Sequence, residues 1–189
     1  MRIRILLGRR SRAGDGKPFL SPIPVSVRTA VLSPGFAETD WVRVFADGWS
    51  REVEEFEPEL LAAPLTELRR VAARAAERRI ALPSLGYAVV AFTGAGQPCL
   101  ADRDRDFFWR VFQVPLFEQF LSPSGQTLAA ECDAHQGLHV LPGRAGFTGF
   151  AGVIETARCP CGQPGVRIVS LGDAAAPRPQ VMAAAAGGD

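Results

Sequence analysis

At 189 residues, 47% of them hydrophobic, the chain is long enough for one ordinary domain or for a core with a small appendage. A net charge of +1, with the basic residues spread along the chain, gives no electrostatic case for a nucleic-acid or anionic-membrane partner. All basic side chains but Lys17 are arginine, a bias that fits a GC-rich genome better than a function.

The opening "MRIRILLGRR" has too few apolar residues for the central region of a signal peptide, and no run of about 18 apolar residues offers a membrane span. The expected compartment is therefore the cytoplasm, where clustered cysteines serve metal binding or catalysis more often than disulfides.

Taken in chain order, "RIRILL" and "PVSVRTAVL" read as short strands separated by the Gly/Pro-rich "GRRSRAGDGKPFLSPIP". In "FAETDWVRVFADGWSREVEE" the residues Trp41, Val42, Phe45 and Trp49 recur at helical spacing and predict a helix. The clearest helix is "PLTELRRVAARAAERR", where Leu65, Leu68, Val71, Ala72 and Ala75 form an apolar stripe with arginines opposite, the pattern of a core-packing helix. "LGYAVVAFTGAG" predicts a buried strand running into a glycine turn. "ADRDRDFFWRVF" opens with acidic residues suited to a helix N-terminus and carries Phe107, Phe108, Val111 and Phe112 on one face. Pro115 ends that helix, and "VPLFEQFL" is the next strand. Strand, turn, helix and strand in this order make a parallel βαβ unit. The fold expected is thus α/β: a small sheet with a βαβ unit flanked by helices, plus a Cys/His-containing loop region near the C-terminus. The low-complexity tail "DAAAPRPQVMAAAAGGD" is expected to be disordered.

The segment "ECDAHQGLHV" brings Cys132, His135 and His139 close together, and "CPCG" adds Cys159 and Cys161. Zinc takes four ligands from thiolate and imidazole, and structural sites usually draw two from each of two separated segments. Cys132 with His139 or His135 supplies one pair, Cys159 with Cys161 the other. Pro160 stiffens the second pair and Gly162 lets the backbone turn beneath the ion. Three other readings compete: a buried core cysteine with loop histidines, a Cys–His nucleophile, and a Cys159–Cys161 disulfide, which one intervening residue would strain. Cys99, beside Pro98, reads as an ordinary buried or loop thiol.

The pieces "ERRIALPSLGYAVVAFTGAGQPCL", "FFWRVFQVPLFEQF", "ECDAHQGLHV" and "GFTGFAGVIETARCPCGQPGVRI" together resemble the central part of the phenylacetate-CoA ligase and coenzyme F390 synthetase branch of the adenylate-forming enzymes. The resemblance covers residues 60 to 168, and the pairing of "EC-x6-H" with "CPCG" is its most specific part. It implies one structural zinc per chain, held by Cys132, His139, Cys159 and Cys161, with His135 in reserve. The division it suggests is residues 1–57 as strands and helix packing on the core, 58–172 as a ligase-like α/β core with the zinc clip, and 173–189 as the tail.

The sequence also departs from that branch. Adenylation needs a Gly/Ser/Thr-rich loop to hold the ATP phosphates, and no "SSGTTG"-like stretch occurs. The "YG.TE" element, whose tyrosine and glutamate help hold adenine and magnesium, is replaced by Phe120-Leu121-Ser122-Pro123-Ser124. The ribose-binding aspartate falls near Phe150, which cannot accept hydrogen bonds. The lysine that stabilises the acyl phosphate belongs to a further domain, and Lys17 lies outside the matched region. The function expected is a non-catalytic relative, a binding or adaptor protein with a protein partner, in which the zinc adds folding free energy. The alternatives are a metal-dependent enzyme with an open zinc site, in which Glu131 or Asp133 would be the base, and one subunit of a split acyl-adenylating ligase.

Overall fold

A computed structural model of the chain describes residues 16–94, 98–143 and 152–170. The expected strand "RIRILL", the tail 173–189 and the position of Phe150 lie outside the described residues.

The strands are β1 (Thr29–Val31), β2 (Val42–Val44), β3 (Leu60–Pro64), β4 (Ala88–Gly94), β5 (Leu116–Leu121), β6 (Thr127–Glu131), β7 (Leu138–Val140), β8 (Gly152–Glu155) and β9 (Arg167–Ser170). The helices are α1 (Arg51–Phe56), α2 (Leu65–Ala76) and α3 (Asp102–Phe112). All nine strands join one sheet in the order β2-β1-β3-β4-β5-β6-β7-β9-β8. From β2 to β5 every pairing is parallel, and from β5 to β8 every pairing is antiparallel. The chain is therefore α/β with a mixed sheet.

The parallel half follows directly from the side-chain pattern. Along α2 the buried residues Leu65, Leu68, Val71 and Ala72 recur at helical spacing and lie on the sheet. Burying each leucine contributes about 2 kcal/mol. In α3 the first turn carries Asp102 and Asp104, which favour a helix N-terminus, and Phe108 and Phe112 are buried one turn apart. The helix ends where Gln113 enters the left-handed region, ahead of Pro115. Both helices pack on the face that presents Leu61, Ala63, Val89, Ala91 and Leu116. The opposite face, with Leu60, Val90, Phe92 and Phe117, is covered by Phe19, Ile23 and Phe36, and Phe36 stacks on Phe92 at 5.0 Å. The expected βαβ unit is β4-α3-β5, and β3-α2-β4 is a second one.

Three expectations need correction. The sheet is not small, having nine strands among the described residues, and, second, the segment read as a Cys/His loop region is not loop throughout but contributes β6 to β9 as antiparallel strands. Those strands are three to five residues long and lie between Gly/Pro-rich turns, which hides them from pattern reading. The third correction is to residues 36–55, which do not form one helix: Val42–Val44 pairs in parallel with β1, and only Arg51–Phe56 is helical. The Thr39 side chain accepts the backbone N–H groups of Trp41 and Val42, a local turn that competes with a helix, and Gly48 has φ +85°. Among the described residues no helix is long and apolar enough to cross a membrane.

Candidate metal centre

The antiparallel half of the sheet positions the Cys/His cluster. Cys132 follows the last residue of β6, and its carbonyl accepts the N–H of His135 at 2.9 Å to start the turn into β7. That turn needs left-handed backbone at His135 (φ 49°) and Gly137 (φ 95°). His139 sits in the middle of β7, opposite Ala130 of β6. Cys159 and Cys161 lie in the turn between β8 and β9, closed by Gly162 N–H to the Cys159 carbonyl at 2.9 Å.

The four residues converge. Their ligand atoms all lie within 4.8 Å of one another, and Cys132, His139 and Cys159 are buried. Cys132 Sγ is 3.7 Å from Cys159 Sγ, and Cys161 Sγ is 3.4 Å from His139 Nε2. Tetrahedral zinc with bonds of about 2.3 Å to sulfur and about 2.1 Å to nitrogen has S···S edges of about 3.8 Å and S···N edges of about 3.6 Å. The donor set and its spacing therefore fit such an ion. Cys161 Sγ also accepts the N–H of Gln163 at 3.4 Å.

The bare cluster shifts its members in opposite directions. Burial, followed by the neighbouring thiols, pushes the Cys132 thiol up to about 12. Burial acts against Cys159 too, but the Cys161 backbone N–H, the adjoining thiols and Arg167 hold its thiol below the ordinary value. Burial and the Arg167 guanidinium lower the pKa of His139, keeping its imidazole in the neutral form that can donate a lone pair. A dication at the cluster would favour the thiolate form that burial opposes at Cys132.

His135 stands apart from the cluster. Its Nδ1 is 3.2 Å from Glu131 Oε1, its side chain is 39% exposed, and its ring lies 4.9 Å from that of Phe117. The structure thus brings together Cys132, His139, Cys159 and Cys161 and leaves the reserve residue outside. Cys99 is exposed.

Sequence reasoning missed a second polar cluster next to this one. On the helix-covered face, Glu118 and Glu131 border a cavity of about 410 Å³ with Arg105 and His135. Glu131 Oε1 lies 3.2 Å from Arg105 Nη2, and its Oε2 accepts the backbone N–H of Glu118 at 2.9 Å. Thr93 donates its hydroxyl to Glu118 Oε1 at 2.7 Å. The signal was present in "LFEQFL", where a carboxylate occupies an inward position between apolar residues.

A parallel α/β layer extended by an antiparallel, cysteine-bearing half defines an α/β protein with a candidate metal centre. Two solved structures of 2-hydroxyisobutyryl-CoA ligase share this fold. The open conformation in complex with 2-HIB-AMP and CoA superposes with a TM-score of 0.55 at 9% identity, covering 78% of this chain and 45% of the ligase. The thioesterification state gives 0.55 and 9%, covering 79% and 44%. The chain spans less than half the length of that ligase. At this identity the likeness is one of fold alone, and it does not single out the phenylacetate-CoA ligase branch. No family model matches the sequence, and neither does any curated protein.

Proposed function

We propose that this chain is a non-catalytic protein built on the acyl-CoA ligase fold, a binding or adaptor module for a protein partner, with one structural zinc held by Cys132, His139, Cys159 and Cys161. The observation that carries the reading is the convergence of these four donors, with edges of 3.7 and 3.4 Å, from two hairpins that the sheet otherwise joins weakly. Among the described residues the hairpins pair through β7 and β9, whose register holds two residue pairs, Leu138 with Ile168 and His139 with Arg167, with further hydrogen bonds from Val140 N–H to the Val166 carbonyl and from Arg167 to the Gln136 carbonyl. An ion shared between them closes the fold and contributes folding free energy directly. Placement in the phenylacetate-CoA ligase branch belongs to the same proposal and rests on the "EC-x6-H" and "CPCG" motifs.

The non-catalytic part rests on what replaces the nucleotide-binding elements. Where the resemblance puts a tyrosine and a glutamate, β5 runs on to Leu121 and Ser122 to Gln126 close a hairpin, with Ser122 N–H donating to the Gln126 carbonyl at 2.8 Å. That hairpin offers the hydroxyls of Ser122 and Ser124 and no carboxylate. An open catalytic metal needs a free base beside it. The Glu131 oxygens are engaged by Arg105, His135 and the Glu118 N–H, and Asp133 is exposed.

Elemental analysis of protein purified without added metal or a histidine tag tests the reading, alongside Cys132→Ser and Cys159→Ser. About one zinc per chain, lost in both variants together with thermal stability, is expected. Folded, metal-free protein would overturn the zinc, and pyrophosphate release from ATP with a panel of carboxylic acids would overturn the non-catalytic reading.

A further inference from the structure

A metal-bound histidine must place the proton on its other ring nitrogen, and that N–H needs an acceptor. His139 presents Nε2 to the cluster, 3.4 Å from Cys161 Sγ, so Nδ1 is the nitrogen that carries the proton. Nδ1 is buried and has no hydrogen-bond partner within the protein.

The sheet register limits where the acceptor can be. On one side of His139 stands Arg167 of β9, whose guanidinium only donates and already binds the Gln136 carbonyl at 2.6 Å and Glu155 at 2.8 Å. On the other side stands Ala130 of β6, which has no polar atom, and beyond it in the same row stands Gln119 of β5. Gln119 is 1% exposed, and its Oε1 is a second buried atom with no partner. The orientation of its amide is set by Leu20, whose carbonyl receives the Nε2 hydrogen at 2.6 Å, so the free atom is the acceptor. A donor without an acceptor and an acceptor without a donor thus lie on the same face of the sheet, with Ala130 between their residues. Gln119, Ala130, Cys132 and His139 all border one cavity of about 180 Å³, room for water with polar groups on both sides.

We propose that Gln119 is a positioning residue of the metal centre: water held over Ala130 accepts the Nδ1–H of His139 and donates to Gln119 Oε1, fixing the tautomer and the ring orientation of the ligand. This rests on the zinc reading given above. It also ties the centre to the N-terminal segment, because the same amide holds Leu20 in place.

The test is zinc affinity by chelator competition under reducing conditions for wild type, Gln119→Leu, Ala130→Val and Asp133→Asn, with the His139 imidazole followed by long-range nitrogen-15 correlation. Gln119→Leu removes the acceptor. Ala130→Val fills the gap while leaving both polar groups and the Leu20 contact in the chain, and the nitrogen-15 spectrum separates loss of the Nδ1–H acceptor from a displaced His139 ring. Both should weaken zinc roughly tenfold, and wild type should show a protonated, slowly exchanging Nδ1. Asp133, the exposed carboxylate on the same cavity, should be replaceable without loss. Affinity within about twofold of wild type in Ala130→Val overturns the bridge, as does a loss confined to Asp133→Asn. If wild type itself binds no zinc, the metal reading falls and takes this inference with it.

Discussion

Glu131 uses its side chain to hold the main chain of Glu118: its carboxylate accepts the Glu118 N–H at 2.9 Å, so two acidic residues face each other across β5 and β6 in the protein interior. Arg105 reaches down from α3 to within 3.2 Å of Glu131 and 3.6 Å of Glu118. One guanidinium serves two carboxyls, and they share it unequally.

Glu118 is the one that gives way. Burial pushes its carboxyl up to about 7, opposed by the Thr93 hydrogen bond and Arg105 and reinforced by Glu131. The folded pKa is raised, so the folded state holds a proton that the unfolded chain has released. This contribution is full below about pH 4.5 and is lost as pH rises through about 7. Its size is about 3 kcal/mol. Glu118→Gln fixes the side chain in a neutral form and should flatten this part of the profile. Denaturant midpoints at pH 5 and pH 8 measure it, and an unchanged slope in the variant would count against the assignment.

Arg69 of α2 and Asp104 of α3 form a two-pronged pair at 2.8 and 2.7 Å, with the Asp104 side chain only 8% exposed. Burial works against the Asp104 carboxylate, but Arg69 and the Ala101 N–H hold its pKa below the ordinary value. Arg69→Met leaves that charge buried, held by the Ala101 N–H and the Arg103 charge, and should cost about 2 to 3 kcal/mol, reduced from the fully buried case because Arg69 itself is partly exposed. Arg69→Met with Asp104→Leu should recover much of the loss. A single variant as stable as wild type would show that the pair joins the helices without stabilising them.

The parallel half was legible because its elements carry their own periodicity. Leu65 to Ala72 repeat like a helix, "AVVAFTG" is unbroken and β-rich, and Pro115 marks a boundary. The segment around Trp41 misled because spacing alone does not separate a helix from a three-residue strand and a turn, and pairing with β1 decided the outcome. The cysteine and histidine types were legible as chemistry. Their convergence depends on which strands pair, and the register that puts His139 rather than His135 at the cluster is a long-range property. The Glu118, Glu131 and Arg105 network was hidden for the same reason: its members are brought together by β5–β6 register and by α3, not by proximity in sequence.

Chelation should act locally before it acts globally. Beyond the cluster itself, the described β8–β9 hairpin joins the rest of the sheet through a short seam, the two residue pairs of β7 and β9 with hydrogen bonds to Val166 and from Arg167 at its ends. Stripping the proposed zinc should therefore raise amide exchange at Leu138 and Ile168 by at least about tenfold while Leu61 and Val90, in the parallel core, change little. Uniform loss of protection across the sheet would mean that the cluster stabilises the whole domain at once.

Gly137 tests how tightly the cluster depends on the strands around it. It sits in the turn just ahead of β7 at φ +95°, and a Cβ there would stand 2.6 Å from the carbonyl oxygen of Ile168. Gly143 also has a left-handed backbone, φ +72°, but an added Cβ would meet nothing within 4 Å. Gly143→Ala should therefore cost only the conformational strain, about 1 kcal/mol. Gly137→Ala meets the same strain and a backbone clash that is relieved only by moving β9 away from β7, and about 2 to 3 kcal/mol is expected. Because β9 follows the turn carrying Cys159 and Cys161, that displacement should also weaken zinc binding, whereas Gly143→Ala should leave it intact. Equal effects of the two substitutions on chelator competition would show that the cysteine turn holds its geometry without support from β7–β9 pairing.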